Sequence, residues 1–94
     1  MPSISIVTIC FNNLEDVKRT CESVDAQVHK PFEHWIINGS ITTVAKWLIN
    51  TPQPDYRKFI NERDKGIADA FNKGIANCKG AVIHILNSGD LEPV

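Results

Sequence analysis

The chain is poor in the features that commit a sequence to a specialised class. It has three cysteines, Cys10, Cys21 and Cys78, an odd number without close pairing, which argues against a disulfide framework. No C-x-x-C is present, and His29, His34 and His84 have no ligand spacing, so a structural zinc site is excluded. The cysteines sit among apolar neighbours and read as buried free thiols, suited to a reducing cytosol. No run approaches the roughly 18 apolar residues of a membrane helix. The opening Met-Pro-Ser-Ile-Ser-Ile-Val lacks the basic region of a signal peptide. Neither sign of charge dominates: ten Lys and Arg face eleven Asp and Glu, so there is no footprint for nucleic acid or an anionic membrane. Repeats, low-complexity stretches and linkers are missing too. A cytoplasmic location follows, with peripheral membrane contact left open.

Within its 94 residues the chain has room for one small domain with a modest core. Ile4 to Cys10 is β-branched and nearly continuous, as a buried parallel strand should be. Asn12 or Asn13 caps a helix, with Glu15 at capping-box distance from Asn12, and Leu14, Val17, Cys21, Val24 and Val28 form its apolar stripe. Lys30-Pro31 breaks that helix. Phe32 to Ile37 is a second strand, Asn38-Gly39-Ser40 a turn, and Ile41, Val44, Ala45 and Leu48 a second stripe. Thr51 to Pro54 makes a loop, and the charged run Tyr56 to Ile60 suits a strand at a sheet edge. A third helix carries Ile67, Ala70, Phe71, Ile75 and Cys78 on one face, with Lys73 and Lys79 suiting its dipole and Gly80 as a left-handed cap. Ala81 to Leu86 is a fourth apolar strand, in which His84 reads as a packing histidine; Trp35 and Trp47 also read as packing residues.

The βαβαβαβ order predicts an α/β, Rossmann-like three-layer sandwich around a four-stranded, mostly parallel sheet, and right-handed crossovers leave few ways to arrange its strands. Ligands of such sheets bind beyond the carboxyl ends of the strands. Polar clusters fall after every strand: Phe11 to Asn13, Asn38 to Ser40, Asn61 to Asp64, and Asn87 to Asp90. All four share one rim, whereas the opposite rim receives ordinary connections. Residue by residue a simpler reading competes: Asn12 as a cap, Gly39 as a turn residue, Asp64 as a cap of the third helix, Asp90 as a surface carboxylate.

The ordered set of clusters resembles the opening half of the family 2 glycosyltransferases of the GT-A fold. I-S-I-V-T-I-C-F-N-N is similar to the family's first strand and its T-x-x-Y/F-N ending, matched by Thr8, Phe11 and Asn12. F-E-H-W-I-I-N-G-S resembles the second strand and its D-G-S-type turn. D-K-G-I-A-D-A-F-N-K-G, from Asp64 to Gly74, is close to D-x-G-x-x-D-A-x-N-x-G, and K-G-A-V-I-H-I-L-N-S-G-D, from Lys79 to Asp90, resembles the stretch holding the D-x-D metal motif.

The resemblance implies the strand order 3-2-1-4 and a nucleotide-diphospho-sugar donor of UDP or GDP type. Thr8, Phe11 and Asn12 would border the nucleotide, with the Phe11 ring near the base. Asn38 stands where the family usually has an Asp that bonds the base. Asp64 and Lys65 would lie near the nucleoside or diphosphate. Asn87 takes the place of the first Asp of the metal motif, and Asp90 that of the last, the expected ligand of Mn²⁺ or Mg²⁺. Thr43 and Gly89 also stand where carboxylates are common. Residues 1–94 are thus expected to form a donor-binding domain truncated after the D-x-D region. The resemblance further implies an inverting transfer to a glycan or lipid-linked acceptor, for which a second half supplies the general base. Glu92 is too close to the metal motif for that role, so residues 1–94 by themselves are expected to be inactive.

Two alternatives stand beside this reading. A degenerate, non-catalytic remnant would act through self-association at an exposed sheet edge or through a partner. A receiver-like module would need a phosphoacceptor Asp after the first strand, where Ile9-Cys10-Phe11-Asn12 stands instead.

Overall fold

The computed structural model describes residues 3–11, 13–39, 43–62 and 67–87. Strands β1 (Ile4–Cys10), β2 (Glu33–Asn38), β3 (Arg57–Asn61) and β4 (Val82–Ile85) alternate with helices α1 (Leu14–Asp25), α2 (Thr43–Asn50) and α3 (Ile67–Asn77). All strand pairs are parallel and the order is β3-β2-β1-β4, the expected 3-2-1-4. Two right-handed crossovers run from β1 outward to β3; the third reverses direction and returns to the other side of β1. That reversal places α3 on the opposite face from α1 and α2.

Side-chain alternation divides the core accordingly. Cys10 and Ile36 pack with Val17 and Cys21 of α1 and Val44 and Leu48 of α2. Val7 and Ile37 point the other way and pack with Ala70 of α3. Trp47 and Trp35 border these two clusters, as expected of packing residues. On the α3 face, a Cβ added to Gly74 would stand 2.5 Å from Val7 Cγ1, so the last glycine of the D-x-G-x-x-D-A-x-N-x-G pattern lets the helix approach the sheet.

Several details depart from the sequence reading. Helix α1 ends at Asp25, and Val28, assigned to its stripe, lies beyond the helix and is 90% exposed. The side chain of Asn13, at the N-cap, accepts the Phe11 N–H at 3.2 Å instead of capping the helix; Asn12, the other cap candidate, lies outside the described residues. Lys73 sits one turn inside α3 and pairs with Glu62 at 3.0 Å and Asp69 at 3.2 Å, while Lys79 lies past the helix end. Gly80 is no left-handed cap: it is required by close approach, since an added Cβ would meet Ser5 Oγ at 2.5 Å and Ser5 N at 2.8 Å. Strand β4 lies at the sheet edge, pairs among the described residues with β1 alone, and is exposed along its whole length, His84 included. Its apolar composition had suggested burial. Cys10 and Cys21 are buried free thiols as expected, but Cys78 is half-exposed.

Candidate functional site at the carboxyl rim of the sheet

Parallel pairing brings the carboxyl ends of the strands to one rim. Cys10, Asn38 and Asn61 stand in register as the last residues of β1, β2 and β3. Backbone bonds continue past the strands: Gly39 N–H donates to Cys10 O at 3.0 Å, Glu62 N–H to Asn38 O at 3.1 Å, and Leu86 N–H to Val7 O at 2.9 Å. The turn segments are therefore anchored where they leave the sheet.

Phe11 follows β1 immediately and is 67% exposed, so its ring is available at the rim. Asn38 is fully buried; its Nδ2 donates to Asn61 Oδ1 at 3.1 Å, and Cys10 Sγ lies 3.8 Å from its Oδ1. Asn87 is exposed just beyond β4, beside the end of β1. The topological switch point, where strand order reverses, lies between β1 and β4. Thr8 is placed differently: its side chain is fully buried, and its Oγ1 lies 2.8 Å from His34 Nε2. Asn12, Asp64, Lys65 and Asp90 lie outside the described residues. Asn61, which the sequence reading placed on the rim within the third polar cluster but gave no role, closes β3 in register with Asn38.

Beneath the rim, one buried polar chain crosses the α1 face of the sheet. Arg57 donates through Nε to His34 Nδ1 at 3.1 Å and through Nη2 and Nη1 to Asp25 at 2.6 and 3.2 Å. Tyr56 O–H donates to the same carboxylate, and Gln53 Oε1 accepts from Arg57 at 3.2 Å. Because Arg57 N–H occupies Nδ1, His34 is the neutral tautomer with its proton on Nε2, which it donates to Thr8. Burial and the adjacent guanidinium push its pKa down to about 3. Burial raises the Asp25 pKa, but the hydrogen bonds from Arg57 and Tyr56 outweigh it and hold the carboxyl below its usual range. This chain ties α1, β3, β2 and β1 together without presenting a reactive group to the rim.

A second buried carboxylate, Glu33, works on the α3 face. It accepts from Ser5 Oγ at 2.6 Å, Trp35 Nε1 at 2.9 Å and the Lys79 backbone N–H. Gly80 N–H donates to Ser5 Oγ at 2.8 Å. One carboxylate thus fastens the α3–β4 turn to the starts of β1 and β2.

A hollow of about 770 Å³ lies on the opposite rim, lined by Ile4, Val24, Val28, Phe32, Val82 and His84 among others. Its lining also includes the polar residues Ser3, Gln27, His29 and Lys30. The hollow follows from the bare edge of β4 and is not taken as the ligand site. Among the described residues, no three His, Cys, Asp or Glu side chains come together to hold a metal ion, and no helix is long and apolar enough to cross a membrane.

Comparison with known proteins agrees with this geometry. A family model described as "Glycosyl transferase family 2" matches residues 5–92. A Mycobacterium tuberculosis protein described as an uncharacterized glycosyltransferase is 34% identical over 90 residues, covering 95% of this chain and 34% of its own length. A Nostoc glycosyltransferase is 31% identical over 91 residues, covering 94% of this chain and 28% of its own. The chain spans about a third of the length of the Mycobacterium relative (34%). Among solved structures, a mannosyltransferase from Pyrobaculum calidifontis in complex with GDP-Man and Mn²⁺ superposes with a TM-score of 0.81 at 17% identity, over 99% of this chain and 29% of that one. The fold, the ordered rim and the family match over residues 5–92 agree: the chain belongs to glycosyl transferase family 2.

Proposed function

We propose that residues 1–94 form the donor-binding domain of a glycosyltransferase, holding a nucleotide-diphospho-sugar across the carboxyl rim of the sheet. The observation that carries this is the rim itself: Phe11, Asn38, Asn61 and Asn87 lie at or just beyond the ends of four parallel strands, at and beside the switch point. In this reading Phe11 and Asn12 border the nucleotide, and Thr8 supports the strand end from within. Asn38 addresses the base side, with Asp64 and Lys65 toward the nucleoside or diphosphate. Asn87 and Asp90 lie on the diphosphate side.

The solved mannosyltransferase with GDP-Man and Mn²⁺ supports a donor of UDP or GDP type and a divalent metal. The donor chemistry fits in kind, since Mn²⁺ or Mg²⁺ is commonly held by one or two carboxylates, with phosphate and water completing the shell. Asn87, exposed at the rim, offers only a neutral amide oxygen, so the charge would come from Asp90. When bound, the ion neutralises the diphosphate leaving group. The chain's own contribution is to bind and orient the donor on a rigid rim. Inverting transfer to a glycan or lipid-linked acceptor needs a general base that this reading assigns to none of the described residues. Residues 1–94 are therefore expected to bind without turnover; a cytoplasmic location is proposed with it, and membrane contact stays open.

The test is an NMR titration with UDP- and GDP-sugars in the presence of Mg²⁺, then Mn²⁺. Shifts should cluster at Phe11, Asp64 and Asp90, with Mn²⁺ broadening centred on Asp90. No shift at millimolar ligand would defeat the proposal. A second reading, a non-catalytic module that self-associates, is favoured by one observation: every residue of the edge strand β4 is exposed. Light scattering that returns a monomer at all concentrations would remove it.

A further inference from the structure

We infer that Asn61 reads a carbonyl on the edge of the donor's nucleobase, with Asn38 as the residue that positions it. This rests on the nucleotide-sugar reading above. The residue types and spacing come from the sheet. Asn38 and Asn61 are paired across β2 and β3, so both amides lie on the α1–α2 face at the rim. Asn38 is completely buried, whereas Asn61 is half-exposed. A primary amide has one acceptor oxygen and one NH₂ group, which lie in its plane on opposite sides of the Cβ–Cγ axis. Asn61 Oδ1 is turned inward to accept Asn38 Nδ2 at 3.1 Å. Its own Nδ2 is therefore directed away from Asn38, and among the described residues it has no recorded partner. The inner bond fixes which end of the amide meets the ligand, so the rim presents a neutral donor there.

A neutral N–H donor suits a base carbonyl better than a phosphate, which recruits cations or helix ends. Position agrees. In the order β3-β2-β1-β4, β3 and β4 are three strand spacings apart, about 14 Å at roughly 4.8 Å each. A donor with its diphosphate beside Asn87 would place its base toward β2 and β3.

The test compares the wild-type chain with Asn61→Asp and Asn61→Ala in calorimetric titrations with UDP, GDP and pyrophosphate, each with Mg²⁺. Asn61→Asp keeps an oxygen for Asn38 Nδ2 and removes only the outward donor. It should weaken the preferred nucleotide about tenfold, the scale of one lost hydrogen bond with added carboxylate–carbonyl repulsion. Asn61→Ala should weaken it similarly, and pyrophosphate should bind all three proteins alike. Circular dichroism and amide spectra check that the variants fold; should Asn61→Asp not fold, Asn61→Thr replaces it with the same expectation. Nucleotide affinity unchanged within about twofold in folded variants would overturn the inference while leaving the donor-site reading intact. Equal weakening of pyrophosphate would also overturn it, by showing a charge effect. If the wild-type chain binds neither nucleotide, the donor-site reading itself fails.

Discussion

Replacing Glu33 tests how this small domain holds its fourth strand. The residue is 3% exposed and, among the described residues, has no ion-pair partner. Its charge is balanced by N–H and O–H donors from Ser5, Lys79 and Trp35. Hydrogen bonds to a charged group contribute about 1.5–3 kcal/mol each, and part of that offsets the desolvation of the carboxylate. A net cost of about 3–4 kcal/mol is expected for Glu33→Ala, including the donors left unpaired. Glu33→Gln should cost about 2–3 kcal/mol, because its NH₂ group meets donors where an acceptor is needed. Against a total of about 5–15 kcal/mol this is a large fraction. The loss should lower Tm by about 4–8 °C per kcal/mol. The pH dependence has a definite sign. Burial raises the Glu33 pKa, but the hydrogen bonds from Ser5, Lys79 and Trp35 outweigh it, and the folded value lies below the ordinary 4.5. Its stabilisation is therefore complete above pH 4.5 and disappears as the pH falls through the lower folded value. Urea unfolding of wild type and Glu33→Gln, followed by circular dichroism at pH 7 and pH 3, reads both effects. The gap between the proteins should be wide at pH 7 and shrink at pH 3. A gap below about 1 kcal/mol at pH 7, or one that does not shrink, would refute the reasoning.

Gly74→Ala should destabilise by about 1–3 kcal/mol in urea unfolding, because the new methyl meets the stiff Val7 side chain at 2.5 Å. The His34 imidazole, held at about 3, should show no titration in NMR between pH 5 and 8. Its unfolded form binds a proton from about pH 6.5 downward, so it removes stability as the pH falls from there towards 3, and His34→Gln should flatten that slope. Asp25→Asn should cost about 1–3 kcal/mol in the same assay; the Arg57 side chain is 2% exposed and loses its counter-charge, while the 40% exposure of Asp25 moderates the effect. Thiol reagents should label Cys78 first, and Cys10 and Cys21 only on unfolding, since burial pushes the Cys21 thiol up to about 11.

The alternation of strands and helices was plain in the chain because each element repeats its own period. Val17, Cys21 and Val24 mark α1, and Val44, Ala45 and Leu48 mark α2. Right-handed crossovers narrowed the strand order, and the family resemblance supplied it. The polar clusters at strand ends identified the rim for the same reason: a parallel sheet collects all its carboxyl ends on one side. What the chain concealed was pairing between distant polar residues. Nothing local links Glu33 to Lys79, or Asp25 to Arg57, so neither carboxylate drew a role from the sequence. His34 looked unremarkable because its partners, Thr8 and Arg57, lie on neighbouring strands. Asn61 was placed on the rim within its cluster, but its pairing with Asn38 across the sheet was not visible, because a closing asparagine resembles the first residue of a loop. The exposure of Val82 to Ile85 was also hidden, since an apolar run reports a preference for burial and not the presence of a covering layer.

The pairing of Ile4 with Val82 has a consequence for the order in which the molecule assembles. The first strand is central, and its neighbour on one side is encoded early, at Glu33 to Asn38. On the other side, β4 must close a loop of more than seventy residues, as the Gly80-to-Ser5 separation of 75 shows. Loop closure becomes costlier with length, although slowly. During synthesis, β1, α1, β2, α2 and β3 have emerged and are free to dock before α3 and β4 leave the ribosome. The fourth strand then arrives last, onto a preformed edge, with the Glu33 carboxylate waiting for Lys79. Its amides should be the first of the four strands to exchange with deuterium, and the β4 side of the rim the last part to become native.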